Sequence, residues 1–433
     1  MYFLYNTVLI LLTVFLSPLI FIILLFRRKY RCGFFQKCGM LPLQHIKTVL
    51  KSSPIWIHAV SVGEVMAAVP LIKEIKKGYP DVPVLLSTVT ETGNLTARRN
   101  AKDADHVIYF PFDYPFIVRR VISKIKPLVF VALEAEIWPN FLKELNRQGI
   151  PPMIVSGRIS YNSFKNYYFF RFFFKKVISN IKYFCMQTRT DAEKVISIGA
   201  KPERVIVTGN IKFDHQIPAI AQEEKESIYK DLNINRDQNI FIAGSTHRGE
   251  EEIIIEVYQV LKRKFPDLVF ILAPRHPERF DEVEGLLKQA DIPYIRKTAL
   301  AVASDHISRE VILLDTIGEL SKIYSIGTIV FIGGSLVPVG GHNVLEPAVF
   351  SKPVIFGKFM GNFSEISRIL KKKNAALQVS GKDEFIKQAM SLLEDPGLRQ
   401  QIGETAFKVI RENSGALGKS MKILRALLED RTS

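Results

Sequence analysis

Acidic residues are under-represented in this chain of 433 residues: 43 Asp and Glu stand against 59 Lys and Arg, giving a formal net charge of +16 and a pI near 9.5. Cysteine is scarcer still. Three scattered residues, Cys32, Cys38 and Cys185, exclude a disulfide framework and suit packing roles in a reducing compartment. No Cys/His spacing of a zinc site and no aromatic signature of an RNA-binding module is present, so the excess positive charge is not read as a nucleic-acid surface. Fixed short repeats and low-complexity tracts are missing as well, which excludes a solenoid or a tail-like interaction segment. The basic excess is therefore assigned to anionic lipid headgroups and to phosphorylated substrates.

What the chain does contain is a run without charge from Val8 to Phe26, followed at once by Arg27-Arg28-Lys29-Tyr30-Arg31. About 20 apolar residues suffice to cross the hydrocarbon core as a helix, and the basic flank is expected to stay in the cytosol. A cleaved signal peptide fits less well, because Met1 to Thr7 carries no Lys or Arg and no small-residue cleavage site follows, and the plainer alternative is a buried helix of a soluble core. The expectation is an anchor with its flank over 1–31, single-pass, with the rest of the chain at the cytoplasmic face of the inner membrane.

From Pro54 the sequence alternates short β-branched runs with amphipathic stretches. Strands are expected at Ile55 to Val60, Val82 to Val89, Val107 to Phe110, Leu128 to Leu133 and Met153 to Val155, then at Ile240 to Ala243, Leu268 to Ala273, Val311 to Leu314, Thr328 to Ile332 and Pro353 to Phe356. This rhythm predicts an α/β fold of two Rossmann-like, doubly wound domains facing a central cleft: 32–214, then 215–405, with a helical segment over 406–433 packing back across the junction. His215 to Asn233, rich in Gln, Glu and Lys, reads as a linker and a solvated helix.

In the first half, the strand from Ile55 ends in Ser61-Val62-Gly63-Glu64. Ligands of open α/β sheets bind beyond the carboxyl ends of the strands, and a carboxylate in the first helical turn is kept ionised by the helix dipole, fit to take a proton from a hydroxyl. The plainer reading makes Glu64 a helix-start residue. Thr90, Thr92 and Gly93 lie in a hydroxyl-rich turn, suited either to an anion or to ordinary capping. Glu134 and Glu136 alternate after the fourth strand, so only one of them should face any given site. Arg158 is placed to grip an acidic group bidentately. Tyr161 to Lys176 interleaves aromatics with Lys165, Arg171, Lys175 and Lys176 and reads as an interfacial helix, the plainer alternative being an aromatic core helix with snorkelling cations. Asp103-Ala104-Asp105 has metal-binding spacing but precedes a strand, so it is read as a solvated loop and no catalytic metal is expected.

In the second half, four polar turns close successive strands: Gly244 to Glu251, Ala273 to Phe280, Asp315 to Leu320, and Gly333-Gly334-Ser335 continuing to Gly340-Gly341-His342-Asn343-Val344-Leu345-Glu346-Pro347. A nucleotide-activated sugar needs such a set. Gly340-Gly341 would let backbone approach a phosphate, Arg275 would neutralise one, and Glu346 would accept from ribose hydroxyls.

The ordered strings Ser61-Val62-Gly63-Glu64, Thr90-Glu91-Thr92-Gly93, Glu134-Ala135-Glu136-Ile137-Trp138-Pro139-Asn140, Gly209 to Asp214, Gly244-Ser245-Thr246-His247, Pro274-Arg275-His276 and Gly341 to Pro347 give the chain a resemblance, over essentially its whole length, to the Kdo (3-deoxy-D-manno-oct-2-ulosonic acid) transferases of lipopolysaccharide assembly. The resemblance implies a GT-B enzyme that moves Kdo from CMP-Kdo to a lipid A precursor (lipid IVA) with inversion. It implies Glu64 as the catalytic base, Glu134 and Lys212 in support of the transition state, and Pro274, Arg275, Ile317, Gly318, Glu319, Asn343, Val344, Leu345 and Glu346 at the CMP-sugar. No cofactor beyond the donor substrate is implied. The family pattern is departed from at Ala135, where Thr is commoner, and at Ser156-Gly157, where Asn-Ala is commoner, a change expected to be mild. A membrane GT-B transferase using a UDP-sugar, and an inactive lipid-binding adaptor, stay open as alternatives.

Overall fold

The computed structural model describes residues 1–26, 31, 33–41, 52–134, 136–214, 220–300 and 310–432. Arg27 to Tyr30, Cys32, Ala135 and His215 lie outside the described residues. The chain forms two compact units, Met1–Gln216 with Asn413–Ser433, and Ile217–Glu412.

The first unit opens with helices α1 (Tyr2–Phe26) and α2 (Phe34–Lys37). Strands β1 (Ile55–His58), β2 (Val84–Thr88), β3 (His106–Tyr109), β4 (Val129–Leu133), β5 (Pro152–Gly157), β6 (Tyr183–Met186) and β7 (Val205–Val207) follow. They form one sheet in the order β3-β2-β1-β4-β5-β6-β7, every pairing parallel. Intervening helices are α3 (Val62–Gly78), α4 (Glu91–Asn100), α5 (Pro115–Ile125), α6 (Pro139–Arg147), α7 (Tyr161–Phe169), α8 (Arg171–Ile178) and α9 (Arg189–Ile198). Successive strand residues point to opposite faces, and both faces are buried. Trp56, Leu85 and Phe130 join one core with Phe110 and Phe141, while Ile55, Ile57, Leu86 and Val131 join the other with Val65, Leu71 and Ile75 of α3.

The second unit contains α10 (Gln222–Asp231), which buries none of its residues, then β8 (Ile240–Thr246), α11 (Glu251–Lys264), β9 (Val269–Pro274), α12 (Phe280–Gln289), β10 (Tyr294–Arg296) and β11 (Val311–Leu313). After them come α13 (Leu320–Ile323), β12 (Ile329–Ile332), α14 (Leu345–Ala348), β13 (Val354–Gly357), α15 (Ser364–Lys372), β14 (Leu377–Val379), α16 (Lys382–Glu394) and α17 (Pro396–Asn413). Its sheet is again parallel, in the order β10-β11-β9-β8-β12-β13-β14. In both sheets the strand order reverses beside the first strand, at β1/β4 and at β8/β12. These are topological switch points, where open α/β sheets take their ligands.

Three sequence expectations change here. The closing segment expected as one piece over 406–433 is two helices. α17 ends in the second unit, and α18 (Ala416–Thr432) returns to the first, where Leu417, Met421, Leu424, Leu427 and Leu428 pack with Ile72 and Ile75. The stretch Tyr161 to Lys176 is also two helices, broken at Phe170. Phe164, Tyr167, Phe173 and Phe174 turn toward the core, while Tyr161, Phe169 and Phe172 stay exposed. Lastly, α1 is long and apolar enough to cross a membrane, but its first half is not free. Tyr2, Tyr5, Asn6 and Thr13 all make contacts with the first unit.

Candidate functional site

At the end of β1 the chain enters α3 through a variant of the capping box, in which the glutamate reaches the N–H one residue before the N-cap Ser61. The Ser61 hydroxyl accepts from the Glu64 backbone N–H at 3.4 Å and donates to Glu64 Oε1 at 2.8 Å, while Glu64 Oε2 accepts from the Val60 N–H at 2.8 Å. The helix-start reading of Glu64 is thus correct, and it does not compete with a chemical role. A carboxylate offers about four lone-pair sites, so both oxygens retain acceptor capacity in a fixed orientation. Glu64 is 8% exposed. Burial raises its pKa and the neighbouring Glu134 adds to the rise; the Val60 N–H, the Ser61 hydroxyl and Lys212 pull the other way. The sequence expectation rests on the helix dipole alone; burial, the largest cause of the upward shift, makes this carboxylate more basic than an ordinary one.

Beyond the end of β4, Glu134 takes a left-handed backbone conformation, φ 58°, and its Oε1 pairs with Lys212 Nζ at 3.0 Å. The expectation that only one of Glu134 and Glu136 faces a given site fails, because a period of two puts residues two apart on one face, and Glu134 and Glu136 both lie close enough to Glu64 to interact with it. Glu136 also senses Glu64: burial, then the charges of Glu64 and Glu134, push its pKa up to about 7. Ala135, between them, lies outside the described residues.

Lys212 owes its place to a bulge. The β5–β6 register shifts between Ile154 and Gly157, with Ser156 at φ 57°, and the Ser156 hydroxyl accepts from the Ile211 N–H at 3.0 Å. Asn210 Oδ1 accepts from the Lys212 N–H at 3.0 Å. Asp214 at the end of this turn accepts from the Leu417 N–H at 2.6 Å and caps α18. Ser156, expected to be a mild departure, therefore holds the Lys212 turn.

The remaining first-half residues divide. Thr90 caps α4, its hydroxyl accepting from the Gly93 N–H at 3.0 Å and donating to the Val60 carbonyl at 3.1 Å. A Cβ on Gly93 would lie 3.0 Å from that carbonyl, so Gly93 lets α4 abut the turn that carries Glu64. Capping is what Thr90 does here; Thr92 is exposed. Arg158 is half-buried, and no ion pair among the described residues takes its guanidinium. Asp105 pairs with Lys76 at 2.8 Å and accepts from the Val84 N–H at 2.7 Å, at the start of β2 and away from the strand ends that carry Glu64 and Glu134.

The second unit repeats the bulge device. The β8–β9 register shifts between Gly244 and Thr246, Ser245 has φ 57°, and the Thr246 carbonyl accepts from the Arg275 N–H at 3.0 Å. Pro274 is buried and Arg275 is exposed, with its guanidinium outside any ion pair among the described residues. Nearby Arg279 is not available, since Glu251 at 2.6 Å and Glu282 at 3.4 Å hold it. Buried Glu250, to which the sequence reading gave no role, accepts from the backbone N–H groups of His247, Gly334, Ser335 and Leu336 at 3.1, 2.6, 2.9 and 2.7 Å. One carboxylate thereby ties the β8 turn to the β12 turn.

His247 and His342, from the turns after β8 and β12, stack on one another with ring centroids 5.1 Å apart. Their Nε2 atoms are 2.8 Å apart, so one ring donates and the other accepts, and His276 lies edge-on to His247 at 5.3 Å. Burial lowers His247 to about 4, with His276 and the two arginines adding, and lowers His342 to about 3 with Arg275 next in effect. Both imidazoles are neutral at pH 7.

Gly340 and Gly341 do not form the expected phosphate cradle. Their N–H groups both point at the Gly334 carbonyl, at 3.2 and 2.7 Å, and a Cβ on Gly341 would meet Met360 Sδ at 2.3 Å. The glycines serve the packing of the loop itself. Asn343 Oδ1 accepts from the Leu345 N–H at 3.1 Å, and its Nδ2 donates to Glu346 Oε1 at 3.2 Å. Val344 and Leu345 are buried, and burial raises the Glu346 pKa. Glu319 pairs with Lys297 at 2.6 Å, beside exposed Ile317 and Gly318 with φ 92°.

Residues 27–215 match the family model described as 3-deoxy-D-manno-octulosonic-acid transferase (kdotransferase). The chain is 35% identical over 400 residues to a 3-deoxy-D-manno-octulosonic acid transferase of Haemophilus influenzae, covering 92% of this chain and 91% of that one. A protein of the same description from Rickettsia felis is 32% identical over 381 residues, covering 87% and 80%. Among solved structures, a glycosyltransferase from Rickettsia africae superposes with a TM-score of 0.53 at 14% identity over 87% of this chain and 99% of that one, a likeness of fold alone. With two Rossmann-like sheets and a buried, ordered glutamate at the first switch point, the chain belongs to the 3-deoxy-D-manno-octulosonic acid transferase family and is a glycosyltransferase.

Proposed function

We propose that this protein transfers Kdo from CMP-Kdo to a hydroxyl of a lipid A precursor, lipid IVA, at the cytoplasmic face of the inner membrane, with inversion at the anomeric carbon and without a metal or further cofactor. The observation that carries the reading is Glu64: a buried carboxylate at a switch point, held by the Val60 N–H and the Ser61 hydroxyl and made more basic by burial. Such a group accepts the proton of an attacking sugar hydroxyl. Lys212, paired with Glu134 in the same unit, supplies positive charge where negative charge develops.

In the second unit, Arg275 is the guanidinium free to meet the cytidylate phosphate, and Glu346, oriented by Asn343, accepts from ribose hydroxyls. Pro274, Ile317, Gly318, Glu319, Val344 and Leu345 frame that nucleotide. Cytidylate is a good leaving group, so electrostatic support suffices for departure. Arg158 and the Thr90 to Gly93 turn belong to the acceptor side, Arg158 by direct contact and Thr90 by fixing the Glu64 turn. The exposed aromatics and lysines of α7 and α8 meet anionic inner-membrane lipids.

The test is mass spectrometry of lipid IVA incubated with CMP-Kdo and the purified protein, alongside calorimetric titration with CMP and with UDP. A mass increase of whole Kdo units with CMP the tighter ligand is expected. No transfer, or preference for UDP, defeats the proposal.

A further inference from the structure

The sequence alone makes α1 a single-pass span. Its contacts point elsewhere. Along the first half of α1 the half-buried residues are Tyr2, Tyr5, Asn6, Thr7, Leu9 and Thr13, close to one stripe at helical spacing. That stripe is docked through polar groups. The Tyr5 hydroxyl donates to Asp113 Oδ2 at 3.0 Å, Asn140 Nδ2 donates to Asn6 Oδ1 at 2.7 Å, and the hydroxyls of Thr13 and Tyr114 share a hydrogen bond. Tyr2 and Tyr5 both pack on Phe173 of α8, with ring centroids 5.6 and 5.5 Å away, and Lys143 lies over the Tyr2 ring. Asp113 is a fixed counterpart, since it also accepts from the Asn140 and Phe141 N–H groups at 3.0 and 2.8 Å.

The chain on the other side of α1 is held by the same loop. Gln36 Oε1 accepts from the Tyr109 N–H at 3.0 Å, the Lys37 carbonyl accepts from the Phe112 N–H at 2.8 Å, and Phe34 packs edge-on to Phe112 at 6.1 Å. Six consecutive residues, Tyr109 to Tyr114, therefore grip both flanks of the apolar helix. From Phe26 to Gly33 there are seven peptide steps, a reach of at most about 25 Å. Beyond Thr13 every described side chain of α1 is exposed. That free part, Val14 to Phe26, is about 20 Å long, short of the ~30 Å hydrocarbon core but ample for one leaflet of about 15 Å.

We infer that α1 is a one-leaflet insertion: it enters lipid from the side on which the first unit lies and the chain returns to that side, so that Met1 and Gly33 face the same aqueous compartment. A helix tied to one loop at both flanks cannot place those flanks on opposite membrane faces while the ties hold. The occupant of its exposed surface is a single leaflet with anionic headgroups. Phe116 and Phe172, both exposed, continue the apolar surface from Tyr114 and Phe173, and Arg171, Lys175 and Lys176 stand on α8 beside them.

The experiment uses the full-length protein with a protease-sensitive epitope joined ahead of Met1, digested in intact spheroplasts and in inverted membrane vesicles. Loss of the epitope in inverted vesicles and survival in spheroplasts is expected; loss in spheroplasts overturns the inference. Phe3→Cys, in a background with Cys32, Cys38 and Cys185 replaced by Ser, gives an independent reading with a membrane-impermeant maleimide. Labelling from the inverted side alone supports one-leaflet insertion, and labelling from the outer side refutes it. Release of the unmodified protein by alkaline carbonate would equally refute it, because α1 would then not be inserted in lipid.

Discussion

At the scale of single residues, the site in the first unit is a set of interacting carboxylates, and two of them, Glu64 and Glu136, have separate experimental signatures. Glu64→Gln keeps an acceptor for the Val60 N–H but cannot take a proton. Transfer is expected to fall by roughly two to four orders of magnitude, while calorimetry shows CMP affinity unchanged. In the wild type, the transfer rate should decline as pH drops through the raised Glu64 pKa, and a profile flat down to the ordinary carboxylate range would remove Glu64 from the proton step. Glu136 affects stability instead. Its carboxyl ionises near 4.5 when free and near 7 in the fold, so between those values the native state holds the extra proton. Its contribution to stability should thus fall as pH rises across that window, and Glu136→Gln should make the measured slope less negative there, gaining on the order of 2 kcal/mol at pH 8, while Asp113, raised to about 6, retains its own share. Chemical denaturation at several pH values reads this directly. Which glutamate would pair with Lys212 was not legible in the sequence, because residues two apart share a strand face and Lys212 is placed by a turn held through Ser156 and Asn210, far from Glu134 along the chain.

Among the elements, the central strands were legible, as were the edge strand β3 and the three-residue β11, while β6, β7, β10 and β14 were not. β7, β10 and β14 are three residues each at sheet edges and β6 lies beside one, but length alone does not set them apart from β11. The connections that position the site were also hidden, since they depend on partners distant in sequence. Glu250 is the clearest case. Replacing it with Ala leaves four backbone N–H groups of the His247 and Gly334 to Leu336 turns without their acceptor. A loss of about 3 kcal/mol or more and a marked weakening of CMP binding are expected, with Glu250→Gln retaining part of both; unchanged CMP titration in the Ala variant would show the turns hold without it. Asp214→Ala should uncap α18 for about 1 kcal/mol and speed amide exchange over Ala416–Thr432, an effect absent if the cap is incidental.

At the level of the whole molecule, charge and connectivity carry consequences no local site does. With a formal charge of +16, binding to anionic vesicles should weaken steadily as salt rises from 0.05 to about 0.5 M, where the Debye length falls to roughly 4 Å. Residual binding at high salt measures the apolar share contributed by α1, Phe116 and Phe172. Connectivity matters more for how the protein is made. The first unit is interrupted by nearly 200 residues of the second, and Leu417, Met421, Leu424 and Leu428 complete its core. At about 5–20 residues per second a ribosome needs on the order of ten to forty seconds to traverse the insertion. Throughout that interval the nascent N-terminal half carries an uncovered apolar face on Ile72 and Ile75 while α1 is already outside the exit tunnel. Early docking of α1 to lipid would therefore hold a half-built domain at the membrane surface until its final helix arrives.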